Sequence, residues 1–392
     1  MDNWRETHNN MTIYLDHSAT TPVDPRVVAA MAPFWTELYG NPSSIYGLGR
    51  RAAAALEDAR RRIGRILNCG PAEIVFTGCG TESDNLALRG VALAAAARGK
   101  RHLVTTPIEH HAVLHTANDL AEHFDCEVTL VPVDRYGLVD PDAVAAAIRP
   151  DTALVSVMMA NNEVGTIQPI AEIAARVRER GVPFHTDAVQ AGGHLPLDVE
   201  ALQVDLLSLS AHKFYGPKGV GLLYVRRGVR LLPVQTGGGQ ERGRRSGTEN
   251  VPYIVGMATA LELAQAERDA EARRLNLLRD RLIQGLMARI PDLILTGHPT
   301  QRLPGHVSLI VPGAEAEALL IALDMAGIAA SSGSACATGS PTPSHVLTAM
   351  GYTPQEAMSA LRLTLGRANS EADVDYVIEK LAEIVPRVRG RR

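Results

Sequence analysis

Short runs of apolar, largely β-branched residues recur at 73–77, 102–105, 127–133, 153–158, 182–186, 206–210 and 221–225, and each predicts a strand. The longer segments between most of them carry apolar positions at the 3.6-residue helical period, as 170–180 does. Strands and helices alternating in this way predict a largely parallel sheet with helices on both faces, an α/β fold. From about residue 252 to 290 the pattern becomes one long helix, and then the rhythm changes. Strands at 293–296, 307–311 and 361–365, with helices at 314–326 and 370–385, predict a second, smaller α+β domain. There is no internal repeat and no long low-complexity tract.

The 392 residues, 46% of them hydrophobic, suffice to bury a large core. A net charge of -4 supplies no basic field for nucleic acid, and the arginine clusters at 60–62 and 387–392 read as solvated surface. The most apolar helical stretch, 91–97, is bounded by Arg89 and Arg98 and falls far short of the ~20 residues a membrane span requires. Residues 1–10 are polar and lack the apolar centre of a signal peptide; they read as an extension ahead of the second Met, at position 11, and the cytoplasm is the expected compartment. The four cysteines, at 69, 79, 126 and 336, form no Cys-x-x-Cys pair and no Cys/His cluster at metal spacing, which speaks against structural zinc and a disulfide framework. Cys69, Cys79 and Cys126 sit beside or within expected elements and read as small packing residues, whereas Cys336 lies in a stretch rich in Gly, Ser, Thr and Pro.

The chemistry concentrates where strands end. Lys213 follows the 206–210 run, and Asp187 closes the 182–186 run. An amine that can form a Schiff base and a carboxylate that keeps a pyridine nitrogen protonated are the two protein groups pyridoxal phosphate needs as an electron sink. The segment 77–83, Thr-Gly-Cys-Gly-Thr-Glu-Ser, leaves a strand and opens a helix, so a phosphate could dock on free N–H groups at Gly80 and Thr81. Each feature taken singly also fits a plainer role: an exposed lysine, a turn aspartate, a Gly-rich turn capped by Thr81, and His110 as a helix cap. Their combination favours the cofactor.

The ordered blocks 14–22 (Tyr-Leu-Asp-His-Ser-Ala-Thr-Thr-Pro), 40–44, 81–85, 161–163, 185–190, 210–213, 237–243, 245–248 and 331–336 resemble the cysteine desulfurases of the NifS/IscS type, in the class V aminotransferase superfamily. The likeness runs from about residue 12 onward and implies a fold-type I pyridoxal-phosphate transferase: a large domain over 16–255 with a mostly parallel seven-stranded sheet, a small α+β domain over 256–392, and residues 1–15 packing with the small domain. It implies that Lys213 holds the cofactor and moves the substrate Cα proton, that Asp187 pairs with the ring nitrogen, and that Gln190 or Asn162 bonds the ring hydroxyl. His110 would stack on the ring and relay protons as both acid and base, from an unperturbed pKa near 6.5. Gly80, Thr81, Ser210, His212 and, from a partner subunit, Thr248 would hold the phosphate, and Arg362 would clamp the substrate carboxylate with help from Asn41 and Asn162.

Cys336 separates this chemistry from transamination. As thiolate it would take sulfur from L-cysteine as a persulfide, release L-alanine and pass the sulfur to an acceptor or iron–sulfur scaffold protein. The resemblance implies a homodimer and no resident metal, and it allows Cys336 to serve as a transient iron–sulfur ligand during transfer. The chain departs from the commonest pattern at His17 and at Ala337. The alternatives left open are a selenocysteine lyase, another class V aminotransferase, and a non-catalytic assembly platform that keeps the fold.

Overall fold

The computed structural model describes residues 12–333 and 342–390; residues 1–11 and Cys336 lie outside them. After β1 (Ile13–Tyr14), seven strands form one sheet: β2 (Ile74–Thr77), β3 (His102–Thr105), β4 (Glu127–Leu130), β5 (Thr152–Ser156), β6 (Phe184–Asp187), β7 (Leu206–Ser210) and β8 (Gly221–Val225). Their order is β2-β8-β7-β6-β5-β3-β4. All neighbours pair in parallel except β8, which runs antiparallel to both β2 and β7. The internal strands are buried along their whole length, as continuous apolar runs covered on both faces must be. The edge strand β4 instead exposes Glu127 and Leu130. It stops at Leu130 rather than at 133, where Pro132 could not donate to a ladder.

The second unit contains β9 (Ile294–Leu295), β10 (His306–Ile310), β11 (Ile328–Ala329) and β12 (Ala360–Thr364). β9, β10 and β12 make an antiparallel sheet in the order β12-β10-β9, and β1 pairs in parallel with β11. Leu15 is buried in the core of this unit with Leu282, Leu309 and Leu363. The long helix Val251–Arg289 belongs to both units. Its first turns, through Ile254, Met257 and Leu261, complete the large-sheet core, and its later turns, through Leu275, Leu282 and Leu286, fill the second core. The boundary expected at 255/256 therefore falls inside one continuous helix.

Two expectations about surface and packing residues are corrected. Arg60 is buried: it donates to the Ile74 carbonyl at 2.7 Å, pairs with Glu241 and lies 4.7 Å from the centre of the Phe76 ring. Glu241 also accepts from the Phe76 N–H at 2.9 Å, so the pair is neutralised and hydrogen-bonded as a buried charge must be. Cys79 is exposed and takes no part in a core.

Leu282 is fully buried in the second core. Leu282→Ala should cost about 2–5 kcal/mol of unfolding free energy, through lost burial and a residual cavity. Urea denaturation followed by circular dichroism checks this; a change below ~1 kcal/mol would show that the helix does not carry that core.

Candidate active site

The sheet order reverses between β3 and β5, since β4 lies to one side of β3 while β5 and its successors lie to the other. In an open α/β sheet a ligand crevice forms beyond the carboxyl ends of the strands at such a point. A cavity of about 300 Å³ lies there. Gly80 and Thr81 enter its lining after β2, His110 after β3, Asn162 after β5, and Asp187 and Gln190 at and beyond the end of β6. Ser210, His212 and Lys213 follow at the end of β7, and Arg362 arrives from β12. The chain has four lysines, at 100, 213, 218 and 380, and among the described residues Lys213 alone of them lines this cavity.

Lys213 Nζ donates to the carbonyls of Ser18, at 2.5 Å, and Ala19, at 2.8 Å. The Ser18 carbonyl also accepts from the Gln190 amide at 3.0 Å, so one N-terminal loop fixes both side chains. Asp187 accepts from the Val189 N–H at 2.9 Å; burial pushes its carboxyl up to about 6, against the pull of that bond and of Lys213. Asp84, on the helix Gly80–Ala96, is also buried in the lining, and burial together with the Asp187 charge holds it well above the carboxylate range. Its Oδ1 lies 3.7 Å from His185 Nε2 and has no hydrogen-bond partner among the described residues. Burial holds His185 down to about 3, and its two ring nitrogens meet the hydroxyls of Ser156 and Ser208 at 2.8 and 3.0 Å.

At the other end, the helix Gly80–Ala96 starts without a side-chain cap from Cys79, so its first-turn N–H groups and the positive end of its dipole face the cavity. A Cβ at Gly80 would stand 2.9 Å from Val189 and 3.3 Å from Ser210, a cradle only glycine leaves open. His212 meets the Thr20 hydroxyl at 3.1 Å, and burial and the nearby lysines lower it to about 4. It is therefore neutral near pH 7 and would meet a phosphate as a hydrogen-bond donor, not as a cation.

His110 caps the helix His111–His123 and lines the cavity at the same time. Its Nδ1 accepts the Ala112 N–H at 3.1 Å, which leaves the ring proton on Nε2. Burial, then Lys213 and neighbouring histidines, lowers it from its ordinary value to about 4, which favours the neutral ring. Arg362 is buried, donates to Asp16 at 2.8 Å and to the Asn162 carbonyl at 3.0 Å. Asn41 is outside the cavity; it is exposed, and its Oδ1 accepts from the Ser43 N–H at 2.9 Å. Thr248 is exposed beside a separate cavity with Arg245 and Glu249. Residues not singled out in the sequence also line the site, among them Asp84, Cys79, Glu163 and His345. Asp84 and Glu163 stood within matched blocks, but as carboxylates on a polar stretch they gave no sign of burial.

A model of the family described as aminotransferase class-V matches residues 13–377. The chain belongs to the class-V aminotransferase family. It is 53% identical, over 97% of its length and 94% of that protein, to cysteine desulfurase IscS of Methanosarcina thermophila, and 49% identical to cysteine desulfurase IscS of Clostridium botulinum over 97% and 96%. A solved structure of a NifS-like protein superposes with a TM-score of 0.90 at 42% identity, covering 96% of this chain and all of that one. SspA in complex with cysteine gives a TM-score of 0.79 at 36% identity over 90% and 99%. Within the family the chain is of the NifS/IscS cysteine desulfurase type.

Pyridoxal phosphate is the cofactor of this class-V enzyme, and the residues present fit it: an amine, a buried carboxylate and a glycine-lined helix start converge on one cavity. Behind them, Glu109 accepts on Oε1 from Thr106 at 2.8 Å and from the Met158 N–H at 2.9 Å, while burial raises its carboxyl to about 8. An acid whose folded pKa exceeds its unfolded value, ordinarily ~4.3, stabilises fully below that value and loses the contribution as pH rises towards the folded one. Glu109→Gln should keep both accepted bonds and remove this term. Between pH 5 and 8 the parent should lose stability relative to the variant in paired urea titrations; parallel curves would mean that Glu109 is ionised throughout.

Proposed function

We propose that this protein is a pyridoxal-phosphate-dependent cysteine desulfurase that converts L-cysteine to L-alanine, holds the sulfur as a persulfide on Cys336 and passes it to an acceptor protein, iron–sulfur scaffolds included. One observation carries the reading beyond general class-V chemistry. Gly333 and His345, which flank Cys336 in the chain, line the same cavity as Lys213, Asp187 and Arg362.

Bound pyridoxal phosphate supplies the electron sink that lets negative charge develop at the substrate Cα. The chain does the rest. Arg362, oriented by Asp16 and the Asn162 carbonyl, binds the substrate carboxylate through charge-assisted hydrogen bonds. Asp187 would hold the ring nitrogen, and the start of the helix Gly80–Ala96 would hold the phosphate. Lys213 Nζ takes the Cα proton and returns it, a short transfer for an amine already seated at the Ser18 and Ala19 carbonyls. The Cys336 thiolate attacks the substrate sulfur, so that an S–S bond forms as the C–S bond breaks and the electron pair passes to the carbon fragment, which is protonated and leaves as L-alanine. His110, its Nδ1 already accepting the Ala112 N–H and its pKa lowered by burial, would face the ring and offer Nε2 as a hydrogen-bond donor.

A homodimer completes this reading. Trp35, Tyr39, Ile45 and Tyr46, on either side of Asn41 in the chain, are exposed apolar residues, with Ile45 88% exposed, which suits burial against a second copy that would receive Thr248 at its phosphate end. Among the described residues no helix is long and apolar enough to cross a membrane. We place the enzyme in the cytoplasm, where thiols stay reduced.

Incubation with L-cysteine in the absence of reductant, followed by peptide mass spectrometry, tests the proposal. The Cys336 peptide should gain the mass of one sulfur atom with one L-alanine released, and Cys336→Ser should form neither while keeping the cofactor. Alanine formation with an unmodified Cys336 peptide would overturn it.

A further inference from the structure

The turn 161–164 presents two side chains in opposite duties. Asn162 lines the cavity, and its carbonyl fixes Arg362. Glu163, in the same turn, is buried and is held from behind: the Asn161 side chain accepts the Glu163 and Val164 N–H groups at 2.8 and 2.9 Å, and His306 donates to the Glu163 carbonyl at 3.0 Å. Asn161 is itself tied to the Ile108 carbonyl at 2.9 Å. The carboxylate of Glu163 is therefore a fixed point, not a mobile side chain.

Both flanks of the Cys336-bearing segment meet at that point. The Ser344 hydroxyl donates to Glu163 Oε2 at 2.5 Å while accepting the Leu347 N–H at 3.1 Å, so the same contact caps the helix His345–Ala349. On the other flank, a Cβ at Gly333 would stand 2.8 Å from Glu163 Oε2 and 3.7 Å from Ser344 Cβ, so the chain passes too close to the carboxyl group for any side chain there. Ser331, two residues earlier, exchanges backbone hydrogen bonds with Arg362 at 2.7 and 3.2 Å. His345 reaches the Glu109 carbonyl at 2.9 Å, immediately before His110, and its Nδ1 lies 4.0 Å from Glu163 Oε1.

We infer that Glu163 is a positioning residue for the sulfur-transfer step: its carboxyl group holds Ser344 beside Gly333 and so ties the flank of the Cys336 segment to the turn whose Asn162 carbonyl fixes Arg362. The inference rests on reading Cys336 as the sulfur-accepting thiol. Glu163 lines the same cavity but makes no hydrogen bond to Asp187 or Arg362 among the described residues, so its removal should act chiefly on how often the thiol meets the substrate sulfur.

The test uses full-length holoenzyme. Glu163→Gln keeps an acceptor for Ser344, Glu163→Met keeps the length without one, and Ser344→Ala removes the donor. Losing a buried hydrogen bond and leaving its partner unsatisfied should raise amide exchange in 342–350 and slow single-turnover L-alanine formation, each by about tenfold or more, in the Met and Ala variants. The Gln variant should stay within about threefold of the parent, and all three should keep parental cofactor content and absorbance. Unchanged exchange in the Met variant, parental alanine formation in Ser344→Ala, or equal damage from Gln and Met would each overturn the inference. Raised exchange in the Met variant, together with parental alanine formation by Cys336→Ser, would instead refute the sulfur reading and leave the anchoring intact.

Discussion

Ionisable groups withdrawn from water at the carboxyl ends of parallel strands are the constraint on which this structure depends. Desolvation penalises every charged form there, so each group must find a partner or give up its charge. Asp84 and Glu109 are driven towards the neutral acid, and His110, His185 and His212 towards the neutral ring. Asp187 is pushed up to about 6 by the same burial, against the pull of Lys213 in the same cavity. A pyridinium nitrogen and a phosphate are the complements such a site lacks, which is why burial that would destabilise an empty pocket becomes binding energy for this cofactor.

The site is assembled from both units of the fold, and the contacts that join them also carry the chemistry. β1 pairs with β11, Asp16 reaches Arg362, and the loop after β1 offers its carbonyls to Lys213 and Gln190. The helix Val251–Arg289 passes through both cores and limits their relative movement to bending of one long element. Further out, Arg26 and Arg367 share Asp24 and Glu267 across the same junction. Arg362 and Lys213, proposed for substrate recognition and proton transfer, are thereby registered through a chain of direct contacts.

Strands whose two faces are both covered announce themselves as unbroken apolar runs, so β3, β7 and β8 were legible to the residue, and the parallel sheet followed from the helices between them. Boundaries slipped where a local rule intervened, as at Pro132 after β4. Lys213, Asp187 and Gly80 were legible because their chemistry is distinctive at strand ends, whereas Arg362, in the middle of β12, was singled out only by the family resemblance. Arg60 was not, since an arginine in a polar helix looks solvated until Glu241, far away in sequence and held at a positive φ, folds back onto it. His110 lines the cavity, but the lowering of its pKa was not legible, because burial and three-dimensional neighbours that periodicity does not reveal set it.

The account turns on Lys213 as the one amine joined to the cofactor. Borohydride reduction of the yellow holoenzyme, followed by peptide mapping, locates that bond directly, since the chain offers only Lys100, Lys213, Lys218 and Lys380. The pyridoxyl label should appear on the Lys213 peptide alone and be absent from Lys213→Ala. A label on any of the other three lysines, or the same labelling in that variant, would contradict the account.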